Sequence, residues 1–187
     1  MKKKSLLTLI MLMLSSVLMA QSVDQEYEKG KALLDAKKYA EAYPLLLKAA
    51  KKGHKKAQYR MGRIYDKGLG VAEDNAKAFQ WYLKAAAQGH AKSQFQVGRC
   101  YKKGKGVAED KKKAFKFYMS AARQDYAPAQ IAVAKFYFKA GDKAKAKLWA
   151  NKGINNPKDG AEELLELRKE MNNGENTAKG LLQLLGK

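Results

Sequence analysis

The side chains that could support catalysis or metal binding are few in this chain of 187 residues. Its only two histidines, His54 and His90, lie 36 residues apart, and each follows a glycine ahead of a predicted helix. A zinc site needs further Cys, His or carboxylate ligands at set spacings, and no such pattern accompanies either histidine. Cys100 is the only cysteine, and no serine or cysteine carries the signature of a histidine-activated nucleophile. The sequence therefore predicts no metal, no cofactor and no catalytic residues, and hence a protein that is not an enzyme.

Two glycine-rich loops, each followed by an aspartate, are the next candidates for chemistry. Their residues are Gly68, Gly70 and Asp74 in one copy, and Gly104, Gly106 and Asp110 in the next. A phosphate-cradling loop follows a strand and continues into Gly-Lys-Ser/Thr, and neither feature is present here. The alternative is structural, because glycine commonly ends a helix in the left-handed conformation. An aspartate ahead of an apolar helix, in turn, caps the free backbone amides of that helix. We interpret all six residues as structural.

These loops belong to a repeat with a period of 36 residues. Gly62, Tyr65, Ala78, Tyr82 and Ala85 recur as Gly98, Tyr101, Ala114, Tyr118 and Ala121. A fixed period of this length is typical of stacked two-helix units. The apolar spacing predicts first helices over 56–67 and 92–103, and second helices over 75–88 and 111–124. Gly62 and Gly98 fall inside first helices, where glycine costs about 1 kcal/mol relative to alanine, so we expect the partner helix to approach closely there.

Two shorter units flank the long ones, and each lacks four residues of the glycine loop. We place the units at about 24–53, 54–89, 90–125 and 126–153, within a repeat domain at 21–153. The remaining segment, 154–187, contains an acidic amphipathic helix predicted over Ala161–Met171. That helix would cap the exposed end of the stack. Residues 181–185 form either one more short helix or a frayed tail.

The first twenty residues have the pattern of a secretory signal peptide. Lys2 to Lys4 are basic, an apolar run follows from Leu6 to Met19, and Ala20 is a small residue at the expected cleavage point. The alternative is an uncleaved membrane anchor, for which the apolar run is short, since a span needs about 20 residues. We therefore expect an exported protein, periplasmic or secreted, with no transmembrane segment after cleavage near Ala20.

Positive charge is concentrated on the repeats. The formal net charge is +20, and residues 54–153 contain 23 Lys and Arg against 7 Asp and Glu. Such a field attracts polyanions and anionic surfaces. The alternative is that exposed helix faces are lysine-rich for solubility, which the run from Lys111 to Lys113 on a predicted outer face favours. We expect Cys100, within an apolar helix, to be a buried and inert thiol rather than a reactive one.

The long units resemble the Sel1-like repeat family, a branch of the tetratricopeptide superfamily. The resemblance rests on Ala57 to Gly62, Tyr65, Gly68 to Val71, Asp74, Ala78, Tyr82 and Ala85, and on the same frame from Ser93 to Ala122. It extends over about Glu26 to Gly153 and implies an all-α, right-handed α-solenoid of antiparallel helix pairs that scaffolds protein–protein contacts. Some exported members carry paired cysteines in each repeat. Because this chain lacks them, activities suggested for those members are not expected here.

In tetratricopeptide arrays the first helices line a concave groove, which implies a candidate partner-binding surface. Positions three before the packing glycine give an aromatic or apolar row: Tyr27, Tyr59, Phe95 and Ile131. Positions one after it give a basic row, Lys31, Arg63, Arg99 and Lys135, to which Lys56, Lys67, Lys92 and Lys103 would add. The alternative is that Tyr59 and Phe95 pack between repeats and that the cations are simply solvated.

These rows favour an exported scaffold that binds a partner protein or an extended peptide. Its cations would bind carboxylates of the partner, and its aromatic rings would contact apolar side chains of the partner. An acidic partner segment would fit best. The alternative is an electrostatic binder of anionic polymers or surfaces, such as lipopolysaccharide, cell-wall polymer or nucleic acid. Binding of that kind would weaken steeply with salt.

Overall fold

Every regular element in the described part of the chain is a helix. The computed structural model describes residues 2–157, 165, 169 and 176–186, and no strand occurs among them. The helices are α1 Lys2–Asp35, α2 Tyr39–Lys51, α3 Lys55–Lys67, α4 Asn75–Ala87, α5 Ala91–Lys103, α6 Lys111–Ala122, α7 Ala127–Lys139, α8 Lys143–Ile154 and α9 Asn176–Leu185. Within each unit, short loops join consecutive helices from α1 to α4 and from α5 to α8, so neighbours run in opposite directions. The all-α fold of packed helix pairs is confirmed.

The chain divides into two units, residues 1–85 and 86–187. In the first unit, α1, α2 and α3 bury Leu46, Met61 and Ile64 between them, together with alanines that are fully buried. Small side chains at these positions let the helix backbones approach closely, as a stack of helix pairs requires.

Most of α4 also belongs to the first unit, and the second unit contains α5 to α9. Its core contains Tyr118 and Val133, and α9 closes it by burying Leu181 and Leu182 against α7 and α8. Residues 181–185 therefore belong to a helix. The predicted capping helix over Ala161–Met171 lies outside the described residues, apart from Leu165 and Lys169.

The glycines inside the first helices face a tyrosine of the second helix. A Cβ added at Gly62 would lie 2.5 Å from Cε1 of Tyr82, and one added at Gly98 would lie 2.8 Å from two ring carbons of Tyr118. Both distances are far below van der Waals contact, and both tyrosines are buried. The glycines are thus required by close packing between the two helices of a repeat. The first helices end at Gly68 and Gly104, whose φ angles of 61° and 65° are left-handed.

One local arrangement, here called the Tyr–Asp–Lys clip, joins the first and second helices of a repeat. The Asp110 N–H donates to the Tyr101 carbonyl at 2.9 Å, and Asp110 Oδ1 accepts from the Lys113 N–H at 2.9 Å. Lys113 Nζ lies 3.5 Å from Asp110 Oδ2 and 5.4 Å from the centroid of the Tyr101 ring. The same contacts occur at Tyr65, Asp74 and Lys77, and at Tyr137, Asp142 and Lys145.

The pKa of the aspartate is lowered in all three clips. The backbone N–H of Lys113 lowers the pKa of Asp110 below its ordinary value, and that of Lys77 does the same for Asp74. At Asp142 the Lys145 ammonium is the main cause of the lowered pKa. Each aspartate is therefore a charged N-cap, which the partial positive charge of the helix N-terminus also favours.

The N-terminal segment forms one continuous helix with the first repeat, since α1 runs unbroken through Ala20 and Gln21. Several of its apolar side chains face solvent, with Met11, Leu14 and Met19 between 64% and 70% exposed. Within the described ranges, none of the helices has the length and hydropathy that crossing a bilayer requires.

Candidate functional site

One face of α3 carries cations beside a tyrosine. Lys56, Tyr59, Arg63 and Lys67 follow at intervals of three and four residues, so they share one side of the helix. Tyr59 is half-buried, and its ring centroid lies 5.9 Å from that of Tyr82. We call these four residues the α3 stripe. The Tyr59 ring packs against the second helix, Lys56 and Lys67 are exposed, and Arg63 is half-buried.

The equivalent face of α5, in the second unit, repeats this arrangement. Lys92, Phe95, Arg99 and Lys103 form the α5 stripe. The half-buried Phe95 ring lies 5.4 Å from the centroids of both Tyr118 and Tyr126, so it packs between neighbouring helices. Phe95 therefore packs between helices, which is the alternative to a groove contact that the sequence left open. The three cations beside it are exposed.

Apart from Lys67, the cations of both stripes have no carboxylate partner in the part of the chain that the structure describes. Among the described residues, no acidic side chain forms an ion pair with the following five: Lys56, Arg63, Lys92, Arg99 and Lys103. Lys67 reaches its neighbour Asp66 only at 3.9 Å. By contrast, the lysines that start the second helices are paired in the clips at 2.8–3.5 Å. Positive charge therefore remains available on the first helices.

The two ends of the predicted row do not belong to such a surface. Tyr27 and Ile131 are 6% and 3% exposed, so they are core residues and not groove contacts. The Tyr27 ring packs against His54 at 4.3 Å, and Ile131 fills the space beside Gly153. This corrects the prediction of an accessible aromatic row through all four units. The physical reason is that an apolar side chain at this position is drawn into the contact with the next helix.

The basic row also changes toward its ends. Lys31 forms an ion pair with Glu28 at 3.5 Å, and Lys135 is half-buried. Lys31 therefore has a carboxylate partner in its own chain, and Lys135, like Arg63 of the α3 stripe, is only partly exposed. Each unit therefore has one candidate surface of its own, the α3 stripe in the first unit and the α5 stripe in the second.

Both histidines have local structural roles. His54 is the N-cap of α3, because its Nδ1 accepts from the Ala57 N–H at 3.1 Å, while its Nε2 lies 3.2 Å from Asp24 Oδ1. Burial lowers the pKa of His54 and outweighs the opposing effect of Asp24. His90 Nδ1 lies 2.8 Å from Ser93 Oγ at the start of α5. Across the described ranges, no cluster of His, Cys, Asp or Glu is placed to hold a metal.

A repeated glutamine, which the sequence reasoning missed, ties the start of each first helix to the preceding helix. Its Nε2 donates to the carbonyl oxygen eight residues earlier, at 3.1 Å for Gln58, 3.4 Å for Gln94 and 3.3 Å for Gln130. The signal was present, because the three glutamines recur at the same period of 36. Cys100 is buried, in line with an inert thiol.

Comparison with known proteins gives a consistent result. Residues 18–54, 55–90 and 91–126 match the model of the Sel1 repeat. The chain is similar to the crystal structure of a Sel1 repeat protein from Oxalobacter formigenes, with 32% identity and a TM-score of 0.67 over 84% of this chain and 67% of that one. It is also similar to c5321, a protective antigen present in uropathogenic Escherichia coli strains that displays an SLR fold. There the identity is 28% and the TM-score 0.61, over 77% of this chain but only 32% of that protein. No functionally curated protein matches the chain.

Proposed function

The chain belongs to the Sel1 repeat family, and we propose that it is an exported, non-enzymatic scaffold whose units each bind an acidic segment of a partner protein, the first unit through the α3 stripe and the second through the α5 stripe. The observation that carries this proposal is the set of uncompensated cations at equivalent positions of two successive first helices. A charge with no carboxylate partner among the described residues can pair with a carboxylate from another molecule.

The residue types in the stripes fit a carboxylate-bearing partner. Arg63 and Arg99 occupy the centre of their stripes, and a guanidinium can bind a carboxylate through two parallel hydrogen bonds. Tyr59 and Phe95 lie between the cations and present the exposed part of a ring to an apolar side chain. Each stripe thus combines charge and apolar contact on a helix that packing holds in place.

Export is supported by the sequence of the first twenty residues, in which a basic start and an apolar run precede Ala20. The side chains described in this part of α1 add support, because Met11, Leu14 and Met19 are 64–70% exposed and so do not pack into the core. The scaffold would therefore act in the periplasm or outside the cell.

The stripes can be tested by charge reversal. The tagged chain, expressed with its leader, is used to capture proteins from the native envelope fraction at low and high salt. We expect one protein to be retained by the wild type at both salt concentrations and lost from the double variant Arg63→Glu/Arg99→Glu. The matched control is Lys112→Glu/Lys116→Glu, which makes the same change in net charge at two exposed positions of α6. Retention of the partner by the stripe variant would refute the proposal.

The same experiment addresses the alternative of general anionic adhesion, which the surplus of positive charge in residues 54–153 favours. In that case both double variants would weaken capture equally. The retained material would be a mixture of acidic molecules released by salt, because counterion release dominates binding to polyanions. Charge itself would then be the binding principle.

A further inference from the structure

The interior of α1 carries the sequence signature of a helix start. Ser22 and Gln25 have the spacing of a capping box, in which the side-chain oxygen of each residue accepts a hydrogen bond from the backbone N–H of the other. Asp24 lies between them, at a place where the free N–H groups of a first helical turn favour a carboxylate. Such a signature has no role in the interior of an unbroken helix of 34 residues. It would operate only if α1 began near Ser22, which is what cleavage after Ala20 would bring about.

The hydroxyl of Ser22 is engaged with the leader, residues 1–20, as long as the leader is attached. Its Oγ donates to the Met19 carbonyl at 2.8 Å, and cleavage removes that acceptor. The Ser22 Oγ can then accept from the N–H of Gln25, one of the backbone donors that a new helix start leaves unpaired. The following turn keeps its own contacts, since the carboxylate of Glu26 lies 2.7 Å from a lysine ammonium of α2 and Tyr27 is buried. We therefore expect α1 of the mature chain to begin at Ser22.

Cleavage after Ala20 would make Gln21 the terminal residue, immediately ahead of this helix start. The Gln21 side chain is exposed and makes no hydrogen bond within the described part of the chain. Joining the terminal nitrogen to Cδ of the same residue closes a five-membered ring and requires rotation only about χ1 and χ2. An exposed side chain without partners is free to make these rotations.

We infer that Gln21 of the mature chain becomes pyroglutamate. The unprotonated α-amine attacks Cδ of the side-chain amide, a new N–Cδ bond closes the lactam, and the bond between Cδ and the amide nitrogen breaks. The amine loses one proton and the departing nitrogen takes it up, so the only other product is ammonia. No oxidant, cofactor or second reactant is needed.

The lactam would change the properties of the chain end in two ways. It removes a positive charge from the start of α1, where the helix dipole disfavours a cation. It also removes the free amine that an aminopeptidase requires, which would protect a protein that acts outside the cytoplasm. The inference rests on the proposed export and on cleavage after Ala20.

The test is the mass of the N-terminal peptide of the full chain, expressed with its leader and purified from the envelope fraction or the medium. We expect the peptide to begin at Gln21 and to be lighter than the unmodified peptide by one ammonia. A synthetic peptide of residues 21–29 with a free amine, carried through the same purification and digestion, measures cyclisation caused by handling and should remain largely unmodified. The matched control Gln21→Asn keeps the amide but would have to close a strained four-membered ring, so it should retain its amine.

The freedom of the Gln21 side chain has its own readout. A chain that begins at Gln21 is released from a fusion by a site-specific protease, and its loss of ammonia is followed by mass spectrometry. We expect the rate constant of the folded chain to equal that of the synthetic peptide in the same buffer, because no contact restrains the side chain. A much slower reaction in the folded chain would overturn the inference.

A purified chain that begins at Gln21 and keeps its amine would also overturn the inference. So would a chain that begins at any other residue, because Gln21 would then not be terminal, and a chain that retains residues 1–20 would contradict the proposed cleavage as well. The proposed binding role would survive each of these results, since it is judged by partner capture with Arg63→Glu/Arg99→Glu.

Discussion

Adding a single methyl group at Gly62 should destabilise the first unit, although alanine is the better helix former. The new Cβ would lie 2.5 Å from Cε1 of Tyr82, whereas carbon atoms pack at about 3.5–4.0 Å. Tyr82 is only 1% exposed, so its ring cannot swing out into solvent. The ring or the helix backbone would have to move by about 1 Å.

The expected magnitude is a difference between two effects. Overpacking of a core costs about 1–3 kcal/mol, and the size of this overlap places Gly62→Ala at the upper end. Replacing glycine by alanine within a helix recovers about 1 kcal/mol. We therefore expect a net loss of about 2 kcal/mol, or a fall of roughly 10 °C in the Tm of a unit of this size.

The assay should report on the first unit alone. In a Trp149→Phe background, Trp81 becomes the sole tryptophan, and its fluorescence follows urea or thermal unfolding of the unit that contains it. The helix-propensity effect is measured separately as the difference between Gln80→Ala and Gln80→Gly, at an exposed position within α4. A Tyr82→Leu background removes the ring that causes the overlap.

The sign of the effect decides the outcome. With Tyr82 present, Gly62→Ala should destabilise; with Tyr82→Leu, the same change should stabilise by about 1 kcal/mol, because only helix propensity remains. If Gly62→Ala instead matches or exceeds the wild type in stability while Tyr82 is present, close packing is not the reason for this glycine.

Two further predictions concern the backbone and pH. Lys37 is exposed and has a left-handed φ of 60°, a conformation that is unfavourable for residues with a Cβ. Lys37→Gly should therefore raise the free energy of unfolding, measured in urea, by about 1 kcal/mol. Unchanged or reduced stability would contradict this. Burial lowers the pKa of His54, so the folded chain binds fewer protons at this residue than the unfolded chain does. The free energy of unfolding should therefore be unaffected by His54 above its unfolded pKa of about 6.5, and should decrease as the pH falls below that value. His54→Asn keeps a capping acceptor, so the Tm of this variant should not show the decrease between about pH 7 and 5. If the Tm of the variant and that of the wild type fall in parallel over this range, His54 is not the cause of the decrease.

The sequence predicted the parts of the fold that depend on local chemistry. Gly62 indicated a close helix approach, and Asp110 indicated a helix start, because each requirement is met by residues within one repeat. The accessibility of Tyr27 and Ile131 was misjudged because it depends on the next helix: His54 covers Tyr27, and Gly153 makes room for Ile131. A rule based on spacing from the packing glycine contains no information about that neighbour.

The unsatisfied side-chain oxygen of Gln130 was not predicted for a similar reason. Gln130 looks identical to Gln94 in the sequence, and only the structure shows that one acceptor is satisfied and the other is not. The periodic glutamine could have been recognised as structural from its spacing alone. Its exceptional last copy could not, because the difference arises from the residues that surround it after folding.

The Tyr–Asp–Lys clip has a consequence for how such a chain can change by insertion and deletion. In the long units nine positions separate the tyrosine from the aspartate, as from Tyr101 to Asp110, and in the last unit only five separate Tyr137 from Asp142. The hydrogen bond that joins their backbones is nonetheless 2.9 Å in one case and 3.0 Å in the other. The joint between the helices is therefore indifferent to the length of the segment it encloses. Four residues can be gained or lost there while the helix pair keeps its geometry, which leaves each loop free to diversify as copies of the unit are duplicated.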